Sequence, residues 1–326
     1  MTKNIAVIIP FFQRKMGILS KAVTSALRQK EVANLTIIVI DDASPVPAKV
    51  ELAELMREHF GRIVVIEQPN GGPAAARNRG LEAVSAGTEY VAFLDSDDEW
   101  IPNHLENALS AMSAGFDFYF SDHYQLNQTV SAFNRAGRIK ISQHPNIAGV
   151  EHVHAYSGDM FDQILMGNII GTSTVVYRFA DYPLLRFREE FVYAGEDYLF
   201  WLELSTLTSK IAFSSLCECT YGEGVNIFSG SGWGTEKSLV RLHHEIKYKK
   251  ALPRLFKLNN IQLSANRRSV KALRQSFVAD VLHRVTHRLP IGAKFLKQHF
   301  RTDPQSFYYA IPLTLAILCR VRKMPI

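Results

Sequence analysis

Four short runs of nearly continuous apolar residues mark the first hundred positions of the chain. They are "NIAVIIP" (4–10), "LTIIVIDD" (35–42), "RIVVIEQ" (62–68) and "YVAFLD" (90–95), and all four are rich in β-branched residues. Runs of this kind are typical of strands that are buried on both faces of a sheet. Between them, apolar residues repeat every three to four positions, as in an amphipathic helix. The alternation through residue 120 predicts an α/β fold with a mostly parallel central sheet.

After residue 120 the pattern becomes irregular. The sequence still predicts strands at 172–178 and 210–215, with a helix between them at 196–207. The glycine-rich stretch 221–234 is predicted to be a mobile loop. Beyond it the apolar residues recur at helical spacing among many lysines and arginines, which predicts a basic helical C-terminal extension.

The charge of the chain is divided unevenly along its length. The whole sequence carries 37 Lys+Arg and 31 Asp+Glu, a net charge of +6. Residues 241–326 hold 18 basic and 3 acidic side chains, a net charge of +15, whereas residues 1–240 have a net charge of −9. The chain therefore combines an acidic body with a basic tail.

Cysteine usage and the N-terminus bear on the cellular setting. Cys217, Cys219 and Cys319 fit neither a disulfide framework nor the paired spacing of a zinc site. The apolar part of the N-terminal stretch is too short for a signal peptide and lacks a small-residue cleavage site. We therefore expect a reducing, cytoplasmic setting.

The stretch "FLDSDDEW" (93–100) places several carboxylates directly behind the fourth apolar run. Asp95 and Asp97 flank a single residue at a strand end, so a turn can direct both toward one hard cation such as Mg²⁺ or Mn²⁺. A cation held in this way typically binds phosphate oxygens as well. The alternative is that these carboxylates, Asp98 or Glu99 in particular, cap the helix that follows.

Three other segments place polar residues where ligands bind in such sheets, beyond the carboxyl ends of strands or at helix starts. They are "VIDDAS" (39–44), "NGGPAAARNRG" (70–80) and "AGEDYLFW" (194–201). A carboxylate in the first can accept hydrogen bonds from a base or a ribose, and the second can bind an anion. The third can supply a general base. Each segment can also be only a helix cap or a helix start.

Five motifs in order, "VIIPFFQR", "VIDDAS", "NGGPAAARNRG", "FLDSDD" and "GED", resemble those of the family 2 glycosyltransferases, which have the GT-A fold. The resemblance covers roughly residues 4–230. It implies a role for seven residues of this chain. These are Pro10 and Phe12 lining the uracil pocket, Asp42 binding the base, Arg77 contacting the nucleotide, Asp95 near the ribose and metal, Asp97 as the principal metal ligand, and Asp197 as the catalytic base.

The resemblance also implies an activity and a domain organisation. The activity is inverting, metal-dependent transfer of a sugar from a UDP-sugar to a hydroxyl of a glycan carried on polyprenyl diphosphate. The stretch "PFFQRKMGIL" is similar to succinoglycan-type glucosyltransferases of exopolysaccharide synthesis, so glucose is one expected sugar. Residues 1–235 would form the catalytic domain, with a nucleotide-binding half (1–120) and an acceptor half (121–235). Residues 236–326 would form the basic helical region.

Two features depart from the pattern of this family. Position 12 is Phe where the family often has Tyr, so stacking on the base is retained and a hydroxyl is lost. Many relatives also have a late histidine that reaches the metal. His243 and His244 are the candidates here, and neither is assigned to the site.

The basic tail has three possible roles: a nucleic-acid arm, a membrane-surface element or a helical cap. Its apolar segment 307–319 is shorter than the roughly 20 residues that span a bilayer, but it suits an interfacial position. We expect peripheral binding to an anionic membrane, at the inner face of the plasma membrane, and no binding of nucleic acid.

Two other functions remain open for the body of the chain. A nucleotidyltransferase that makes nucleotide-sugars uses a similar sheet but usually has a loop rich in glycine and lysine after its first strand. The segment "PFFQRKMG" is a poor match to such a loop. A non-catalytic nucleotide-sugar-binding module would keep Asp42 and Asp97 without needing Asp197.

Overall fold

The computed structural model describes residues 3–30, 32, 34–223, 233–235, 237–309 and 312. The chain divides into two compact units, Met1–Val192 with Glu196–Asn226 and Tyr193–Gly195 with Ile227–Ile326. We call them the sheet unit and the helical unit. Most of the predicted glycine-rich loop 221–234 and of the predicted interfacial segment 307–319 lies outside the described residues, as does Cys319.

The sheet unit contains nine strands in the described residues. They are β1 (Asn4–Phe11), β2 (Asn34–Asp41), β3 (Ile63–Glu67), β4 (Tyr90–Phe93), β5 (Glu99–Trp100), β6 (Phe118–Tyr124), β7 (Val153–Ala155), β8 (Val176–Arg178) and β9 (Ile211–Thr220). The four apolar runs form β1 to β4, as predicted. The run at 210–215 forms the first half of a longer strand, while residues 172–174 form a 3₁₀ turn before β8.

All the strands belong to one mixed sheet, in the order β3-β2-β1-β4-β8-β6-β9-β5, with β7 paired to β9. The predicted parallel arrangement holds from β3 to β4. Beyond β4 the sheet is mixed, because β8 is antiparallel to both β4 and β6, while β6 and β9 are parallel. The short β5, which follows the acidic stretch, pairs antiparallel with β9.

Eleven α-helices lie in the described residues. They are α1 (Leu19–Leu27), α2 (Ala48–Glu51), α3 (Ala53–Glu58), α4 (Gly72–Glu82), α5 (His104–Ser113), α6 (Ala132–Ala136), α7 (Met160–Met166), α8 (Glu196–Leu207), α9 (Ser238–Leu255), α10 (Asn260–Thr286) and α11 (Ala293–Thr302). The predicted helix at 196–207 and the helical tail are confirmed. Among the described residues, no helix is both long and apolar enough to cross a membrane.

Helix α4 packs directly against β1 at Gly80, where a methyl group would overlap the side chain of the buried Ile8. The sheet unit is built on buried apolar residues of its strands and flanking helices, including Val7, Ile37 and Ala92. This packing fixes the strand ends where the motifs lie.

The helical unit has a core of its own. Leu239, Leu242 and Ile246 of α9 pack with Phe277 and Val278 of α10. Several polar groups are also buried there. These are Asp280, Arg284, His243, His299, Asp303 and Ser306.

Candidate functional site

The carboxylate of Asp42 follows β2 and joins it to the start of α4. One carboxylate oxygen accepts hydrogen bonds from Gln68 Nε2 and from the backbone N–H of Gly71, both at 2.8 Å. The other accepts the N–H of Gly72 at 2.8 Å. A carboxylate offers about four acceptor positions, so about one remains for the N–H of a ligand. The N–H groups of the glycine turn, which the sequence suggested as an anion site, are thus occupied by Asp42.

The end of β1 lies beside the end of β2. Pro10 and Phe12 are both partly exposed, whereas Phe11 between them is buried. Pro10 and Phe12 therefore retain surface that a base can contact. Gln13, which sequence reasoning missed, donates from its side chain to Ser96 Oγ at 3.2 Å and so ties β1 to the segment after β4.

Arg77 is the central cation of the site. It projects from α4, is only 4% exposed, and lies over the ring of Phe187. Its NH2 group donates to Asp95 at 2.6 Å, and its NH1 group lies 3.7 Å from a carboxylate oxygen of Glu196. Within the described residues, Nε and NH1 of Arg77 have no hydrogen-bond partner. Helix α4 thus carries one donor to Asp42, the N–H of Gly72, as well as the arginine that binds Asp95 and approaches Glu196.

The acidic turn, residues 95–98, follows β4. Asp95 and Asp97 are partly exposed, whereas Asp98 is 3% exposed. Burial, with the charges of Asp95 and Asp97, raises the pKa of Asp98 well above its usual range. Asp98 accepts hydrogen bonds from Ser173 Oγ at 2.5 Å and from the N–H of Gly222 at 3.1 Å.

The helix-capping alternatives have different outcomes at the acidic turn and at Asp41. Asp98 does not cap the helix that follows, since α5 begins only at His104 and the partners of Asp98 lie elsewhere. Glu99 lies in β5. Asp41, by contrast, accepts from the N–H of Ala48 at the start of α2. The capping interpretation is therefore wrong for the acidic turn. In "VIDDAS", Asp41 is not the N-cap residue of α2, which is Pro47, but it satisfies one N–H at the start of that helix.

The acidic turn fits a divalent cation that is shared with a ligand. The partly exposed carboxylates of Asp95 and Asp97 are hard oxygen donors. No group of three or more histidine, cysteine or acidic side chains able to hold a metal occurs in the described part of the chain. Mg²⁺ commonly binds through one or two carboxylates plus phosphates, so this pair suits a cation completed by a diphosphate.

Glu196 and Asp197 are the first two residues of α8, and Glu196 faces Arg77. Burial, with the neighbouring Asp197, raises the pKa of Glu196 to about 8, and Arg77 opposes this shift. Burial likewise raises the pKa of Asp197, again opposed by Arg77. Asp197 accepts the N–H of the next residue, Tyr198, at 2.8 Å. The raised pKa makes Asp197 a stronger base than an ordinary aspartate.

The two histidines considered from sequence both lie in the helical unit. His243 is buried, with Nδ1 2.9 Å from Nδ1 of His299. The ring of His244 packs against Tyr193 at 4.6 Å between centroids. Burial lowers the pKa of His244 to about 4. Both side chains therefore have partners within their own unit.

Sequence reasoning missed Ser173 and Gly222. Ser173 is fully buried in a segment that was predicted to be a plain strand. Gly222 lies so close to the acidic turn that a methyl group there would overlap the carbonyl oxygen of Asp97. Nothing in the sequence around Ser173 or Gly222 indicates a role in the site, because the residues that they contact are far away along the chain.

Comparison with known proteins gives concordant matches. The sequence model described as Glycosyl transferase family 2 matches residues 6–182. The succinoglycan biosynthesis protein ExoW of Rhizobium meliloti (strain 1021) is 33% identical over 234 residues, which is 69% of this chain and 70% of ExoW. The amylovoran biosynthesis glycosyltransferase AmsB of Erwinia amylovora is 27% identical over 64% of this chain and 65% of AmsB.

Solved structures share the fold. Residues 1–349 of S. aureus TarS superpose with a TM-score of 0.56 at 15% identity, covering 94% of this chain and 81% of that one. The same region in complex with UDP-GlcNAc gives a TM-score of 0.55 at 16% identity, with the same coverage. This chain spans 43% of the longer TarS chain. The expected GT-A fold is thereby confirmed.

Proposed function

Because this chain belongs to glycosyl transferase family 2, it is a glycosyltransferase, and we propose that it transfers a sugar from a UDP-sugar to a hydroxyl of a glycan. We place the reaction in exopolysaccharide synthesis, with a glycan on polyprenyl diphosphate as the acceptor and glucose as one expected sugar. The names of ExoW and AmsB support the polymer class. The TarS structures with UDP and with UDP-GlcNAc support a UDP-sugar donor.

The observation that carries the proposal is the arrangement along α4. Its first residue, Gly72, donates to Asp42, and Arg77, five residues later, binds Asp95 and approaches Glu196. Five residues of helix rise by about 7.5 Å. That length suits a nucleoside at one end and a diphosphate at the other. The uracil would lie against Pro10 and Phe12, with its N–H on the remaining acceptor position of Asp42.

The chain's own residues would divide the chemistry between two faces of the sugar. Asp97, with Asp95 beside it, would hold Mn²⁺ or Mg²⁺, which spreads the negative charge of the departing diphosphate. Arg77 would contribute positive charge on the same side. Asp197 would take the proton of the acceptor hydroxyl as its oxygen bonds to the anomeric carbon. The bond from that carbon to UDP breaks, UDP leaves with the electron pair, and the configuration is inverted.

Turnover and ligand binding together test these roles. Asp97→Asn should abolish turnover and weaken UDP binding in Mn²⁺. Asp197→Asn should lower kcat by roughly 10²-fold or more, the usual scale for a lost general base, and leave UDP affinity near that of the wild type. Calorimetry measures UDP affinity, and UDP release with UDP-sugars and lipid-linked oligosaccharides measures turnover. Full activity in EDTA would contradict the metal assignment. In a separate assay with UTP and a sugar 1-phosphate, release of pyrophosphate would favour the nucleotidyltransferase.

The helical unit supports the second part of the proposal, peripheral binding to anionic membrane at the cytoplasmic face. Lys294, Lys297 and Arg301 are all exposed, and their spacing of three and four places them on one face of α11. The side chain of Phe300 in the same helix is 55% exposed, and that of Tyr308, in the 3₁₀ turn after the helix, is 74% exposed. Basic residues combined with exposed aromatic residues are typical of a helix that lies at a lipid interface.

A matched pair of variants tests membrane binding. One replaces Lys294, Lys297 and Arg301 with Gln, and the control replaces three exposed basic residues of α10, Arg267, Arg268 and Lys271, in the same way. Each basic residue near an anionic surface contributes about 1 kcal/mol. The α11 variant should therefore lose more co-sedimentation with phosphatidylglycerol vesicles than the control. Equal losses would mean that only total charge matters, and no binding by the wild type would refute the proposal.

A further inference from the structure

A single buried serine, Ser173, lies directly behind the acidic turn. Its hydroxyl donates to Asp98 at 2.5 Å and accepts the backbone N–H of Asp95 at 2.9 Å. Its carbonyl oxygen accepts the indole N–H of Trp100 at 2.5 Å. Three hydrogen bonds from one residue therefore reach both ends of the segment that carries Asp97.

Asp98 is anchored from a second direction. Its other carboxylate oxygen accepts the N–H of Gly222, just after β9. Both oxygens thus point to protein donors, and the side chain is buried. Asp98 therefore differs from Asp95 and Asp97, whose carboxylates remain partly exposed.

A second buried carboxylate supports the strand beneath the turn. Glu218 in β9 is fully buried, and its side chain bonds to His104 at 2.8 Å, Asn107 at 2.6 Å and Tyr119 at 2.8 Å. Its carbonyl oxygen accepts the N–H of Ile101, next to β5. A buried carboxylate is stable only when donors satisfy it, so this network fixes β9 against α5 and β6.

We propose that Ser173 and Asp98 are positioning residues, which hold Asp95 and Asp97 in the arrangement that binds the divalent cation. This inference rests on the proposed function. Asp98 acts as an internal anchor for the turn and is not itself a metal ligand. The anchor reaches Asp95 through its backbone and Asp97 through the residue that follows it, so losing it loosens the pair without removing a carboxylate.

Calorimetric titration with UDP tests the inference without an acceptor. Wild type, Ser173→Ala and Ser121→Ala are each titrated in Mn²⁺ and in EDTA. Ser121 is a matched control, since it is equally buried and its hydroxyl has no partner in the described part of the chain. Without this hydroxyl, the buried Asp98 and the N–H of Asp95 lose their partner, and an unsatisfied buried group costs enough that Ser173→Ala should raise the Kd in Mn²⁺ about tenfold. Its Kd in EDTA should stay at the wild-type value, and the control should change neither.

Asp98→Asn separates an anchor from a metal ligand. The amide still accepts from Gly222 and can donate to Ser173 Oγ, so affinity in Mn²⁺ should stay within about fivefold of wild type, the scale of one neutral hydrogen bond. A loss as large as that of Asp97→Asn would overturn the inference, as would wild-type affinity in Ser173→Ala or equal weakening in EDTA. A wild type that binds no UDP, or binds it equally without Mn²⁺, would refute the proposed function itself.

Discussion

The helical unit should lose stability in mild acid because of the buried side chain of His299. Its Nε2 lies 3.0 Å from Ser306 Oγ, and that hydroxyl donates its own proton to Asp303 at 2.6 Å. Nε2 of His299 must therefore carry a proton and donate it. Nδ1 of His299 then has to accept from Nδ1 of His243, 2.9 Å away. Protonation of Nδ1 of His299 would place its N–H opposite the N–H of His243, so that neither group has an acceptor there.

The size of the effect follows from the pKa of His299. Burial, together with His243, lowers it from 6.5 to about 4, with Lys250 and Arg274 acting in the same direction and Asp303 opposing them. Because the folded-state pKa is depressed, the folded protein binds fewer protons than the unfolded chain below pH 6.5. The contribution of His299 to the free energy of unfolding is therefore fully present above pH 6.5 and is lost as the pH approaches 4. At 1.36 kcal/mol per pKa unit, the loss is about 3 kcal/mol.

Urea unfolding followed by circular dichroism between pH 7.5 and pH 4 measures this loss. His299→Gln keeps an N–H for Ser306 and cannot titrate, so its free energy of unfolding should depend less on pH than that of the wild type. The exposed His287 provides a control, since His287→Gln should retain the wild-type pH dependence. If His299→Gln lost as much stability over this range as the wild type, the assignment of the acid sensitivity to His299 would be wrong.

Two further outcomes are expected at the site. In Gly222→Ala the added methyl overlaps the carbonyl oxygen of Asp97, so the acidic turn must shift. A displacement of this size commonly costs on the order of 10²-fold in kcat, and normal turnover in a sugar-transfer assay would contradict the assigned close approach. Glu196→Gln should keep most of its activity at pH 7, because burial raises the pKa of Glu196 to about 8 and leaves the wild-type side chain largely neutral there. Inactivity of this variant, alongside intact UDP binding, would show that the ionised form is required.

The strands of the nucleotide-binding half could be predicted from sequence because each is a local pattern. Runs such as "YVAFLD" bury both faces, so their residues alone indicate a strand. The same reasoning located the acidic turn, since parallel strands end at one edge of a sheet. The ion pair between Arg77 and Asp95 was not predicted, although both motifs were assigned to the nucleotide.

The second half of the sheet could not be predicted in the same way. Glu218 interrupts the apolar pattern of β9, and the side chains that satisfy its buried carboxylate come from residues about a hundred positions earlier. Asp98 was interpreted as a possible helix cap for a similar reason. Its true partners, Ser173 and Gly222, are 75 and 124 residues away along the chain. Non-local partners leave no trace in a periodic pattern.

The close approach of α4 to β1 has a consequence for protein engineering. Since Gly80 lies directly against Ile8, a side chain at position 80 would overlap that of Ile8 and would lift α4 unless Ile8 itself moved. Lifting it would displace Arg77 and the N–H groups that hold Asp42 in a single movement. A mutant library that seeks a new donor sugar should therefore leave Gly80 and Ile8 unchanged. Substitutions are better introduced at positions where a larger side chain would not displace α4.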